Sequence, residues 1–300
     1  MNIQQIKTFI TVIESGSFSQ AARILGVSQP AVTMQVQNLE SDIGTSLLDR
    51  RYRRVELTEA GRVLVPYARE IIKEANRARA DIAGLSGEVT GVLNIALSTT
   101  PGDYIIPSLL GDFLKEYPQV EVRLSVLNTD ETLEQIEKRE ADVGMIGALA
   151  KSTLVNFKKM GTDELIVVAS PKKAQELKAH ATKGVCTLKE LARERWVARS
   201  EDSGTQQVSK QLFVSQKINY DDLDVAIHLG TGEAVVNAVE GGLGIAIVSS
   251  YVAAKSIKLG TLAEVPCEGF PHERPFYLVT PKRTLTRAAE AFISFVSAKL

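Results

Sequence analysis

"SFSQAARILGVSQPAVTMQVQNLE", Ser17 to Glu40, decides how the rest of the chain is read. It holds two short helical segments only a few residues apart. In the first, Ala21, Ala22 and Leu25 are small or apolar where a neighbouring helix must come close. Gly26 supplies a permissive backbone for the turn. Ser28 is a natural N-cap and Pro30 falls in the first turn, where its missing N–H costs little. In the second segment Val32, Val36, Leu39 and Ile43 form one apolar stripe at helical spacing. The opposite face carries Pro30, Thr33, Met34, Gln37 and Ser41, several of them able to reach base edges. Before this pair, Ile3, Ile6, Phe9, Ile10 and Ile13 predict an amphipathic helix over 2–14. A polar helix held at an angle by its partner is the arrangement of a helix-turn-helix. An ordinary αα-hairpin with a solvated face has the same local signature.

The next stretch separates the two. "LLDRRYRRVELTEAG", Leu47 to Gly61, packs Arg50, Arg51, Arg53 and Arg54 around Tyr52 and runs into the strand-like "VEL". An arginine-rich hairpin beside such a helix is a wing, whose cations neutralise phosphates or enter a narrow minor groove. The net charge of -1 does not oppose this, because the position of the positive charge matters more than its sum.

These motifs, "FSQAARILGVSQPAVTMQVQNLE", "LLDR" and "LTEAG", closely resemble the LysR-type transcriptional regulators. The resemblance is strongest over residues 1–65 and continues in architecture to the C-terminus. It implies that Gln29, Pro30, Thr33 and Gln37 occupy base- and phosphate-contacting positions, with Arg53 or Arg54 as the wing contact. The candidate DNA-contacting set is then Ser28, Gln29, Pro30, Thr33, Met34, Gln37, Arg50, Arg51, Arg53 and Arg54. Met34 is a departure: the family commonly has arginine there, and a methionine would offer apolar contact to thymine methyls.

Thr58 can cap a long helix ending near Leu85. Ala60, Leu64, Tyr67, Ile71, Ala75, Ala78, Ile82 and Leu85 recur almost as a heptad seam, and Pro66 is expected to kink the helix. Such a seam is met either by a second copy or by the chain's own C-terminal domain. The resemblance favours the copy, as a homodimer through this helix that assembles further to a homotetramer. "GLSGEVTG", Gly84 to Gly91, reads as the hinge that follows.

From residue 91 strands and helices alternate, and the strands are continuous apolar runs, which predicts a parallel α/β sheet. The expected strands include "VLNIAL", "VEVRLSV", "DVGMIGA", "DELIVVAS", "RWVARS", "LDVAIHL" and "GLGIAIVS". A first helix is expected from Ile105 to Glu116, and "RPFYLVT" returns the chain to a first lobe. The predicted organisation is a winged helix-turn-helix over 1–58 and a linker helix with hinge over 59–90. A two-lobed α/β effector domain like the periplasmic-binding-protein fold (type 2) fills 91–300. Its lobe I is expected at about 91–162 and 268–300, and lobe II at about 163–267.

Ligands of such folds sit at strand C-termini and helix N-termini. Three stretches have that placement: Ser98, Thr99 and Thr100; Arg199 with Ser203, Gly204 and Thr205; and Thr231 with Gly232. Hydroxyls, backbone N–H groups and helix dipoles there favour an anion, although each stretch also fits plain helix capping. The expected effector is a small carboxylate or sulfur oxyanion. The first stretch resembles the family branch that senses sulfur-containing anions and cysteine precursors. Glu201 and Asp202 would repel an anion or select one carrying an amine.

Other classes fit poorly. "EGGLGIAIVS" follows a helix and precedes a strand, so Gly241 and Gly242 read as a helix C-cap and not as a nucleotide fingerprint. No nucleophile elbow, zinc-protease or P-loop signature occurs, so no catalytic residue is assigned. A free solute-binding protein would lack the DNA-reading head. His180, His228 and His272 are scattered and Cys186 and Cys267 stand far apart, so neither a metal site nor a cofactor is expected. The cysteines read as buried, reduced thiols. With 44% hydrophobic residues and no long apolar run, the chain reads as cytoplasmic and unconnected to a membrane. The expectation is a non-enzymatic bacterial regulator that binds double-stranded promoter DNA, with RNA polymerase a further candidate partner.

Overall fold

The computed structural model describes residues 1–49, 55–84 and 88–300. It divides into two units, Met1–Gly91 and Val92–Leu300. No helix among the described residues is long and apolar enough to cross a membrane.

The first unit is built from α1 (Ile3–Ser15), α2 (Phe18–Leu25), α3 (Gln29–Ile43), the hairpin β1 (Leu48–Asp49) and β2 (Glu56–Leu57), and α4 (Glu59–Gly84). Local chemistry sets the helix ends. Ser17 and Ser28 accept from the backbone N–H groups of Gln20 and Ala31, and Gly16, Gly26 and Gly44 close the helices in the left-handed region. Asn2 and Gln5 form a reciprocal capping box on α1. Phe9, Val12, Ala21, Val32, Val36 and Leu39 are fully or almost fully buried in one core. Glu40, at the end of α3, turns its carboxylate onto the backbone N–H groups of Leu47 (2.8 Å) and Leu48 (3.1 Å), which fixes where β1 begins. Leu48 pairs with Leu57 and Asp49 with Glu56 across the hairpin. The four wing arginines lie outside the described residues.

α4 starts as expected. Thr58 Oγ1 accepts from Gly61 N–H at 3.0 Å and donates to Ser46 O at 2.7 Å. The helix is continuous through Pro66. The seam, however, is shared differently from the expectation. Ala60, Leu64 and Ile71 pack against the core of their own head, together with Val65 and Ile72. Tyr67 and Ile82 are 64% and 68% exposed. The reason is geometric: the first turns of α4 are already in contact with α1, so the nearest apolar surface is within the same chain. Leu85 and part of the hinge lie outside the described residues.

The second unit runs β3 (Gly91–Ser98), a π-helical turn (Pro101–Ile105), α5 (Ile106–Glu116), β4 (Val120–Leu127), α6 (Thr129–Glu137), β5 (Val143–Ile146) and β6 (Val155–Ala169). It continues with α7 (Pro171–His180), α8 (Leu188–Leu191), β7 (Arg195–Arg199), α9 (Gly204–Ser215), β8 (Asp224–Leu229) and α10 (Gly232–Glu240). Last come β9 (Ala246–Ser249), α11 (Ser250–Leu259), β10 (Ala263–Glu264), β11 (His272–Pro281) and α12 (Arg287–Ser297). The helix expected from Ile105 begins earlier, as the π turn. Gly241 and Gly242 do end α10, as its capping sequence suggested.

The sheet is mixed, which corrects the parallel prediction. Its order is β10-β6-β11-β5-β3-β4, with β9 also on β6. β3 runs parallel to β5 within it, and β7 and β8 form a separate parallel pair. The long strands β6 and β11 are antiparallel to each other, and β9 and β10 are antiparallel to β6. A continuous apolar run reports burial on both faces and says nothing of direction. In β6, Leu165 and Val167 enter one core with Trp196, Phe213 and Ile247. Ile166 and Val168 enter another with Val235, Val239 and Val248. The earlier half of β6 is instead partly exposed and lies on the lobe I core of Ala96, Ile136, Ile146 and Val279. Two strands therefore belong to both lobes. Cys186 and Cys267 are free and buried, paired across an isolated bridge. Burial pushes the Cys267 thiol up to about 12.

Gly61 has no room for a side chain: a Cβ would sit 2.1 Å from Leu47 O and 2.9 Å from a methyl of Leu57. Gly61→Ala should lower stability by about 1–3 kcal/mol or more, through backbone displacement of the kind that overpacking forces. Urea unfolding of the variant reads this directly, and an unchanged midpoint would contradict the packing described.

Candidate functional site

The second unit contains a narrow cavity between its lobes, of about 10 Å³, room for about a single water. Lobe I contributes Ser98, Thr99, Thr100, Asn128, Thr129 and Gly147. Lobe II contributes Arg199, Ser203, Gly204 and Thr205, and Arg274 comes from β11. Seven of the nine residues singled out from sequence thus meet at one place. Thr231 and Gly232 are not on this lining. Thr231 Oγ1 accepts from Ala234 N–H at 3.1 Å, so its hydroxyl is used in capping α10. Gly232 stands behind Arg199, where a Cβ would come 3.5 Å from Nη1.

The distinction between capping and lining is chemical. Ser203 and Thr100 occupy N-cap positions but make no side-chain capping bond. Both are buried, as are Ser98 and Thr205. A buried hydroxyl that declines its own helix is available to something else. Thr129 goes further: its Oγ1 is buried without a partner. Gly204 lets α9 approach lobe I closely, since a Cβ there would lie 3.1 Å from Thr129 Oγ1 and 3.2 Å from Ala148 Cβ. α6 and α9 begin at the lining residues Thr129 and Gly204, and the positive end of a helix dipole favours negative charge.

Two guanidinium groups supply the cationic lining. Arg274 is 4% exposed and is the direct cross-strand partner of Asp163. Its Nε and Nη2 donate to Asp163 Oδ2 at 2.8 and 2.6 Å, and Ser249 Oγ donates to Oδ1 at 2.7 Å. Arg199 lacks such a partner. Its Nη2 donates to Gly230 O at 2.9 Å, while Nε is buried and unpaired. Burial, and then the like charge of Arg274, pull the Arg199 guanidinium below its ordinary range. An anion in the cavity would reverse both effects.

Asn128, Thr129, Gly147 and Arg274 were not foreseen. "NTDE" after the strand of β4 carries the same strand-to-helix signature as the three chosen stretches and could have been read the same way. Arg274 has no local signature, because its place is set by pairing with a residue 111 positions away. Glu201 lies outside the lining, paired with Lys210.

On the head, α3 presents Ser28, Gln29, Pro30, Met34 and Gln37 at the surface, with Thr33 half-buried. Met34 is 58% exposed. Gln29 Oε1 accepts from Ser19 Oγ at 2.8 Å, which ties the start of α3 to α2. Thr33 Oγ1 donates back to Gln29 O at 3.1 Å. α3 contains no lysine or arginine, so any cationic contribution from the proposed set rests on the wing.

Comparison with known families decides the larger question. The model described as "Bacterial regulatory helix-turn-helix protein, lysR family" matches residues 3–62, and "LysR substrate binding domain" matches residues 86–300. The chain belongs to the LysR family of transcriptional regulators. It is a DNA-binding regulator and not an enzyme. Its relatives match most of the chain. A probable RuBisCO transcriptional regulator of Cyanidioschyzon merolae is 33% identical over 297 residues, covering 97% of this chain and 95% of the relative. The Escherichia coli K12 regulator YeiE is 32% identical over 265 residues, 88% and 86% of the two chains. Among solved structures, full-length CbnR complexed with its target DNA matches with a TM-score of 0.73 at 26% identity, covering all of both chains. The Synechocystis CcmR regulatory domain in complex with 2-PG matches with a TM-score of 0.62 at 26% identity, over 70% of this chain and 97% of that one.

The buried ion pair beside the cavity makes its own demand. Asp163→Asn leaves the Arg274 charge buried without its counter-ion and should cost about 3–5 kcal/mol. Replacing both, Asp163→Leu with Arg274→Met, should recover much of that loss in thermal or urea unfolding. Equal losses in the single and double variants would show that packing, and not charge, governs the site.

Proposed function

We propose that this LysR-type regulator responds to a small anionic effector, a carboxylate or sulfur oxyanion, bound between the lobes of its second unit. One observation carries the reading: Arg199, buried with an uncommitted Nε, shares a cavity with the uncapped hydroxyls of Thr100 and Ser203. The donors come from both lobes, so a ligand touching all of them favours one inter-lobe arrangement over others. The related CcmR regulatory domain, solved with 2-PG, supports a small-molecule ligand for this fold. The effector-contacting set is Ser98, Thr99, Thr100, Arg199, Ser203, Gly204 and Thr205. Thr231 and Gly232 act behind it, by holding α10 against Arg199.

DNA is read by Gln29, Pro30, Thr33, Met34 and Gln37 on α3, with the wing arginines on phosphate or in the minor groove. The protein acts as a homodimer, and through it as a homotetramer. The apolar residues left exposed along α4, Val63, Tyr67 and Ile82, support a second copy as its partner. The domains follow the division into a DNA-reading head to residue 58, a linker helix and hinge to residue 90, and an effector domain beyond.

Two experiments test this. In thermal-shift titrations with small carboxylates, sulfate and thiosulfate, at least one anion should stabilise the full-length protein, and Ser98→Ala with Thr100→Ala should abolish the shift. A shift that survives the double change would place the anion elsewhere. For the head, fluorescence anisotropy over a salt series compares a duplex enriched by selection with a shuffled one. Arg53→Ala should weaken both and reduce the salt slope by about one, whereas Thr33→Ala should erode only the preference between them. Identical behaviour of the two variants would refute the division between wing and helix.

A further inference from the structure

Two buried side-chain polar atoms without a partner, Arg199 Nε and Thr129 Oγ1, belong to lining residues of the cleft, and a third, Asp202 Oδ1, belongs to a residue just outside that lining. Thr129 is 1% exposed and Arg199 6%, and both line the cavity. Asp202 directly precedes the lining residue Ser203. Its other oxygen, Oδ2, accepts from Nδ2 of Asn128, a lining residue of lobe I, at 2.8 Å. Asp202 thus stands at the seam between the lobes with half of its carboxylate bound and half idle. Its charge lies close enough to act on the Arg199 guanidinium, yet the two idle atoms do not meet.

The idle atoms differ in what they need. Arg199 Nε is a donor and calls for an acceptor. Thr129 Oγ1 can serve either way. Asp202 Oδ1 is an acceptor with a negative charge and calls for a donor. A ligand made only of acceptors, such as sulfate, satisfies Arg199 and Thr129 but leaves Asp202 unpaired and adds a like charge beside it. A ligand that also carries a donor answers all three.

We propose that the effector is a small acid with a hydroxyl or ammonium group next to its anionic end, and that Asp202 Oδ1 accepts a hydrogen bond from that group. The proposal rests on the cleft reading above and narrows it: Arg199 recognises the acid, and Asp202 selects among acids. A site built to pair a donor rejects analogues that lack it, because its own polar atom is then stranded. The same bond would draw on Asn128 from the opposite lobe, so donor recognition and lobe closure use one carboxylate.

The test uses two matched series on the full-length protein by calorimetric titration: succinate, malate and aspartate, then propionate, lactate and alanine. Within each series only the group on C2 changes. The hydroxy or amino member of at least one series should bind about tenfold or more tighter than its parent, the scale of one charged hydrogen bond. In Asp202→Asn the amide oxygen can keep the Asn128 bond and present N–H groups to the ligand, so the preference should vanish while the parent acids still bind. Should this variant fail to fold, Asp202→Ser is titrated in its place. Equal affinities within both series of the unaltered protein would overturn the proposal and leave the anion cleft standing. A preference that persists in Asp202→Asn would overturn the role of Asp202. Absence of binding by every member would overturn this proposal, while the cleft reading is decided by the thermal-shift titrations with sulfate and thiosulfate.

Discussion

The bond between Asp163 and Arg274 sits where β6 and β11 pass from one lobe into the other, and much of the second unit depends on it. The two residues face each other directly in the ladder. Taking two charges out of water is expensive, and only good geometry repays it. Here both N–H groups of the guanidinium fork reach one oxygen, and Ser249, at the end of β9, holds the other. Three strands are therefore pinned at one point. The pin also disposes of charge: Arg274 spends its fork on Asp163, and Arg199 receives from it only repulsion. That leaves one guanidinium neutralised for structure and one under-used beside the cavity. The cationic contribution left to the lining is therefore that of Arg199.

What could be read from sequence alone tracks how local the cause is. The head was legible because its helices begin and end on side chains a few residues away: Ser17, Ser28 and Thr58 at the starts, glycines with positive φ at the ends. Strand direction was not legible. Leu165–Ala169 is apolar throughout because alternate residues feed two different cores, and that pattern is the same for parallel and antiparallel neighbours. The α4 seam shows a related limit. A repeat of apolar residues states that a face needs covering, and Ala60, Leu64 and Ile71 were covered by their own head.

The cleft residues divide on the same principle. Strand-to-helix turns bearing hydroxyls are visible in sequence, which is why Ser98–Thr100 and Ser203–Thr205 could be proposed. The same pattern yielded Thr231, whose hydroxyl proved to be engaged in capping. Residues of one type at one kind of turn thus have two fates, and only the three-dimensional partner list separates them. Thr129 carries the same local signature in "NTDE", whereas Arg274 reaches the cavity through a pairing distant in sequence, and nothing near it announces it.

These constraints bear on how a ligand could act. β6 and β11 are shared by both lobes, so any change in lobe angle must be absorbed along those two strands. They carry their irregularities close to the pinned pair: Gly161 has φ +73°, and the ladder shifts register between Pro275 and Tyr277. Asp163 lies two residues from the one and Arg274 immediately before the other. A pinned point thus stands beside less regular backbone in both strands. A ligand bound to one lobe alone would have the same affinity at every angle and could not bias that angle. The lining of this cavity comes from both lobes, with unpaired polar atoms on each side of the seam. Under the proposed reading, a ligand that satisfied atoms of both lobes would favour one inter-lobe arrangement over others, and that difference in affinity is what regulation through this cleft would rest on.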